Sequence, residues 1–212
     1  GGILYAAHVN VVYATCAAIL FIAFLLTLTV RYQHTPSNAA VDLRSVLAGA
    51  HFVLHHKVIL GAMALDLFAV LLGGVTALLP IYARDILHIG PVGLGVLRAA
   101  PAAGALLTSL ALLRWPLTRH VGHRLLAAVG VFGVATVVFG VSQSFVLSLI
   151  ALMVTGAADS ISVVTRLTLM QLDTPDEMRG RVSAVNSIFI GASNQLGEFE
   201  SGATAALLGP VG

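Results

Sequence analysis

The chain has 212 residues, 58% of them hydrophobic and only 9% charged, with a formal net charge of +2. Soluble domains run nearer 45 to 50% apolar and about 25% charged, so a single water-soluble globule is excluded and a membrane protein is expected, with the lipid bilayer as a partner and no nucleic acid. One cysteine, Cys16, rules out an internal disulfide.

The chain opens at Gly1 without an initiator Met or the basic stretch of a signal peptide, and it reads as a piece of a longer protein. Gly1 to Ala6 reads as the tail of one helix, turned by "HVN" into the next. Six apolar runs follow: Val11 to Val30, Val58 to Ala83, Val92 to Leu113, Leu125 to Val141, Phe145 to Leu172 and Val182 to Leu208. Each is long enough to cross a hydrocarbon layer of roughly 30 Å as a helix. Continuous runs of this length exclude the alternating strands of a barrel. The expected fold is therefore an all-α polytopic bundle.

The connectors alternate in charge. Arg31, Arg44, Lys57, Arg114, Arg119, Arg124, Arg179 and Arg181 fall on one side and Arg84 on the other. By the positive-inside rule the loops 31–57, 114–124 and 173–181 are cytoplasmic. Within the first of them, Val41 to His56 places Leu43, Val46, Leu47, Ala50, Val53 and Leu54 on one side of a helix and Arg44, His51 and His55 on another. That pattern predicts an amphipathic helix in the inner interface. His51 and His55 stand at metal-ligand spacing, but no third ligand accompanies them. No metal or cofactor is expected. "GPVGLG" at Gly90 to Gly95 follows no strand, so Gly93 and Gly95 are expected to serve close helix packing rather than a phosphate.

Charges inside the spans are more informative, because ionisable groups within a bilayer face a bundle interior or a watery cavity. Asp66 lies in the second span, Arg98 in the third, Asp159 and Arg166 in the fifth, and Glu198 and Glu200 in the sixth, whereas the first and fourth have none. The two uncharged spans are expected on the outside, against lipid. On the fifth, Thr155, Asp159, Ser162 and Arg166 recur on one helical face; on the sixth, Ser187, Gly191, Asn194, Glu198 and Gly202 do so. Glu200 falls on a different stripe, with Ser193, Gly197 and Thr204. Glu198 is expected to face the cavity, since Asn194 and Gln195 share its side.

"WPLTRHVGHRLLAAVG" (Trp115 to Gly130) and "TPDEMRGRVSAVNSIFIGASNQLGEFESG" (Thr174 to Gly202) resemble loop and helix segments of the major facilitator superfamily, in particular its drug and siderophore exporters. The resemblance implies that the spans are helices 6 to 11 of that fold, with residues 1–30 ending the N-terminal half. On this mapping 31–57 is the central loop, and 58–212 is an incomplete C-terminal half lacking helix 12. Arg119, Gly122, Arg124, Arg179 and Arg181 fall in the cytoplasmic gating loops, although Thr118 replaces the acid usual before the first arginine.

The implied function is secondary active transport: proton-coupled export of small hydrophobic or amphipathic molecules by alternating access, with the N-terminal half as partner. Asp66, Arg98, Asp159, Arg166, Asn194 and Glu198 are the pathway candidates. A lipid or lysolipid flippase on the same fold is the alternative. A membrane-embedded enzyme fits less well, since all 8 histidines lie outside the spans and no H-E-x-x-H occurs. At 1.5 Å per residue Asp66 and Arg166 sit roughly 12 and 9 Å from the inner surface. They would pair if helices 7 and 10 are neighbours. Glu198, about 24 Å from that surface, is expected to be partly desolvated and to carry the proton.

Overall fold

A computed structural model describes residues 9–29, 43–72, 75–115 and 121–209. The expected tail of an earlier helix, Arg31, Thr118 and Arg119 lie outside them. The described residues form seven long helices: α1 (Val9–Thr29), α2 (Leu43–His55), α3 (Lys57–Leu72), α4 (Pro91–Arg114), α5 (Val121–Val141), α6 (Phe145–Asp173) and α7 (Asp176–Leu208).

The helix ends follow local chemistry. Pro91 occupies the first position of α4, where its missing N–H costs nothing. Asp176 and Glu177 sit in the first turn of α7, favourable to the helix dipole, and Gly209 at φ 87° ends it. The charged connector expected at 173–181 is thus almost wholly helical; Thr174 and Pro175 alone separate α6 from α7. At the opposite end of the bundle, Ser142 makes a tight turn between α5 and α6, its hydroxyl accepting from Ser148 Oγ at 3.0 Å.

The second expected span is interrupted. Beyond α3 the chain passes through a 3₁₀ turn at Val75–Leu78, one α-helical turn at Leu79–Ile81 and a π-helical turn at Tyr82–Ile86. Pro80, which cannot donate to the helical ladder, lies at the changeover.

Five segments of the described residues are long and apolar enough to cross a membrane: Asn10–Thr29, Lys57–Ile86, Pro91–Arg114, Gly122–Val141 and Phe145–Asp173. The sixth expected span, within α7, is long enough at 33 residues but less apolar, because one of its faces is lined with Asn194, Glu198 and other polar groups.

α6 is the central helix, packed between α4 and α5, while α7 packs on α3 and α2. The crossing of α4 with α6 is backbone to backbone: a Cβ at Gly104 would overlap the carbonyl of Met153, and one at Gly156 that of Pro101. Ser109 and Ser160 hydrogen-bond across the same contact at 3.2 Å. Gly104 and Gly156 therefore do what was expected of Gly93 and Gly95. Gly93 instead receives the side chain of Ile89, from the turn just before its own helix, and Gly95 lines an open cavity.

α2 is the expected amphipathic helix, and part of its apolar side is used on the protein. Val53 is buried and Val46 and Ala50 are partly buried against Ile59, Met63, Val182 and Val185. Gly49 abuts the backbone of Arg181, where an added Cβ would stand 2.8 Å from the carbonyl oxygen. Leu47 and Leu54 remain exposed. The apolar side is wide enough for two surfaces, one spent on protein and one left outward.

Two apolar clusters result. One, toward the Ser142 end, joins Leu79, Tyr82, Leu97, Ala100, Phe139, Ala151 and Leu152, with the Tyr82 hydroxyl donating to the Gly140 carbonyl. The other, at the cytoplasmic end, is the α2 cluster just described. α1 stands apart, its side chains largely exposed.

Candidate functional site

Between the two apolar clusters lies a polar layer built by α3, α6 and α7. Asp66 and Arg166 are both buried, and Arg166 Nη2 donates to Asp66 Oδ2 at 3.0 Å. The pairing expected from their depths is present. Arg166 Nη1 donates to Asn186 Oδ1 at 2.9 Å, and Ser162 Oγ lies 3.5 Å from Asp66 Oδ1. One guanidinium thus ties three helices together, while its Nε is buried without a hydrogen-bond partner among the described residues. Buried ion pairs hold only when their remaining donors and acceptors are satisfied, and Asn186 supplies most of that.

Asn186 did not stand out in sequence. The neighbouring Ser187 did, but it is exposed and bonds to its own helix at Ser183 O. A usable signal existed: Val182, Val185, Asn186, Ser193 and Gly197 form the buried stripe of α7, and a buried asparagine must find a partner. Gly197 belongs to this stripe because α7 meets the backbone of α3 there: a Cβ added to it would stand 2.7 Å from Val70 O.

Above the ion pair is a cavity of about 210 Å³. Asp159, Thr155, Thr136, Asn194 and Glu198 supply its polar wall, and Val70, Phe132 and Leu152 its apolar one. The Thr136 hydroxyl, another group sequence reasoning passed over, is buried with no hydrogen-bond partner among the described residues. Small-molecule sites are typically apolar pockets with a few placed polar groups, of roughly 300 to 1,000 Å³; this one has that character at smaller size. Glu198 lines the cavity and is exposed among the described residues, because its face of α7 turns away from the α3 contact. Glu200 is also exposed and accepts from Thr204 Oγ1 at 3.2 Å.

Arg98 is not part of this assembly. It lies on the exposed side of α4, facing a second cavity of about 750 Å³ shared with Arg84, Pro80 and Leu94. The loop residues are likewise remote from the cavity: Gly122 and Arg124 are exposed at the start of α5, Arg179 pairs with Asp176 at 2.7 Å, and Arg181 leans on the sulfur of Met178. Among the described residues no group of three or more histidine, cysteine or acidic side chains is placed to hold a metal.

A bundle of apolar helices enclosing a polar layer is the architecture of a membrane transporter, and the sequence matches the Major Facilitator Superfamily over residues 1–197. The chain belongs to that superfamily and is a multi-pass protein of the cytoplasmic membrane. It is 30% identical over 202 residues to the enterobactin exporter EntS of Citrobacter koseri, covering 94% of this chain. To the proteins of the same name from Escherichia coli O1:K1 and O81 it is 27% and 28% identical over 201 residues. The chain spans about half the length of these curated relatives, 48% in each case. No solved structure matches it significantly.

Proposed function

We propose that the protein is a secondary active exporter of small hydrophobic or amphipathic molecules, driven by proton entry and working by alternating access. The observation that carries this reading is the cavity between α3, α5, α6 and α7, where two carboxylates and an amide face an apolar wall within a bundle of membrane-spanning length. Such a surface suits a molecule with a greasy body and a few polar groups. In this reading Asn194 and Glu198 contact the ligand. Asp66, Asp159 and Arg166 couple it to protons, and Arg98 lines the outer approach. The loop residues Arg119, Gly122, Arg124, Arg179 and Arg181 govern closure on the cytoplasmic side. Residues 1–30, 31–57 and 58–212 act as the end of one half, the linker and most of the second half. The relatives named as enterobactin exporters make the siderophore class a substrate to test first.

The full-length protein in proteoliposomes under an imposed pH gradient decides the matter. Movement of a fluorescent amphipathic dye against its gradient, abolished by a protonophore, is the expected result. Dye movement indifferent to the gradient, or translocation confined to a labelled lysolipid, overturns it; the latter would make the protein a flippase.

A further inference from the structure

The polar layer contains more acid than base. Asp66 and Asp159 share one cation, Arg166, which the structure gives to Asp66. Asp159 has no hydrogen bond or salt bridge among the described residues, yet it lies within electrostatic reach of both Asp66 and Arg166. With Val70 and Phe132 it lines two cavities, and it is the charged residue of the three. It lines the larger one with Glu198 and Asn194, and a small one of about 10 Å³ that continues to Ser162 and Asp66. Asp159 therefore stands between the space open to a ligand and the buried ion pair.

The charged groups around it are few. Asp66 faces it from α3 and Glu198 from α7, Arg166 lies on its own helix, and α4 and α5 contribute no charged residue to either cavity. Two carboxylates in a layer of low polarity cannot both remain ionised beside one guanidinium that fully serves only one of them. Arg166 has a buried Nε donor with no partner among the described residues, and Asp159 lies two turns back on the same helix, roughly 10 Å along the axis, in the direction in which long helical side chains lean.

We infer that Asp159, rather than Glu198, is the residue that binds the transported proton, and that it does so by competing with Asp66 for Arg166. With Asp159 as the neutral acid, Arg166 stays on Asp66 and Asn186, and α3, α6 and α7 are clamped. When Asp159 gives up its proton to water on the cytoplasmic side, its carboxylate draws Arg166 away and the clamp loosens. Glu198, on the open side of the larger cavity, is left to the ligand. The inference rests on the proton-driven export proposed above, so its test includes a readout that does not involve transport.

That readout is the infrared carbonyl stretch of a neutral carboxyl group, recorded as pH is raised on the full-length protein in lipid nanodiscs. A pH-dependent band is expected in the parent protein. It should vanish in Asp159→Asn and also in Asp66→Asn, where a single remaining carboxylate takes the guanidinium to itself. It should persist in Glu198→Gln, and in Asp159→Glu it should persist at a shifted frequency. The Asp159→Glu and Asp66→Asn variants decide the question even if Asp159→Asn fails to fold. A band absent from the parent, unmoved in Asp159→Glu, kept in Asp66→Asn or lost in Glu198→Gln overturns the assignment. Gradient-driven dye efflux measured in parallel separates the two ideas: the expected spectra without any efflux would leave Asp159 a proton-binding switch and defeat the exporter reading alone.

Discussion

At the scale of single residues, Arg166 concentrates most of the structural consequence. Its guanidinium is buried and bonded to helices α3 and α7, so Arg166→Gln leaves Asp66 charged and alone. Loss of one partner of such a pair costs about 3 to 5 kcal/mol, and thermal unfolding in detergent should fall accordingly. Asn186→Ala removes a hydrogen bond to a charged group, worth about 1.5 to 3 kcal/mol, whereas the exposed neighbour Ser187→Ala should stay within about 0.5 kcal/mol. Equal effects from the two substitutions would mean that the network does not hold α7. Asp66 and Arg166 were legible in sequence because charge in an apolar run is rare and depth can be counted. Asn186 was not, since polar side chains are frequent in α7 and only the three-dimensional packing says which of them is inside.

At the scale of the element, α6 is held by contacts that side chains would spoil. Gly104 and Gly156 lie against carbonyl groups of the opposing helix, so Gly156→Val must push α4 and α6 apart. Overpacking of this kind typically costs about 1 to 3 kcal/mol. Gly133→Ala, on a side of α5 with nothing within 4 Å, should be neutral or slightly stabilising. Melting temperatures of the pair, measured together, test whether the close crossing organises the bundle. α2 offers a second check. Gly49→Val should lift it from Arg181, seen as faster hydrogen exchange over Leu43–His55 with α5 unchanged; protection equal to the parent's would show that α2 is held elsewhere. Helical periodicity predicted α2 and its apolar side, but it could not divide that side between protein and exterior. Both demand the same residue types.

At the scale of the whole molecule, the two apolar clusters with the Asp66–Arg166 layer between them put the buried ion pair in the middle of the bundle. The orientation follows from the basic loops. In a Cys16→Ser background, a cysteine in place of exposed Gln143 should react with an impermeant maleimide added to intact cells, whereas one at Asp176 should react only after the membrane is opened. The reverse pattern would invert the topology and with it the direction assigned to every step of export.

The amino-acid sequence by itself determined that this is a helical membrane protein, where five of its spans lie, and which interior charges needed an explanation. These properties depend on local composition and on the length of apolar runs, and the cost of exposing backbone or charge to lipid enforces them at each point of the chain. Only the tertiary structure decided what those charges do. Whether Asp159 or Asp66 holds Arg166, whether Glu198 packs against α3 or faces the cavity, and which glycines touch a neighbouring helix depend on how helices far apart in the chain rotate and cross. A rotation of α7 by one residue, about 100°, would exchange Asn186 for Ser187 at the guanidinium, and nothing in the local pattern forbids it except the packing of the whole.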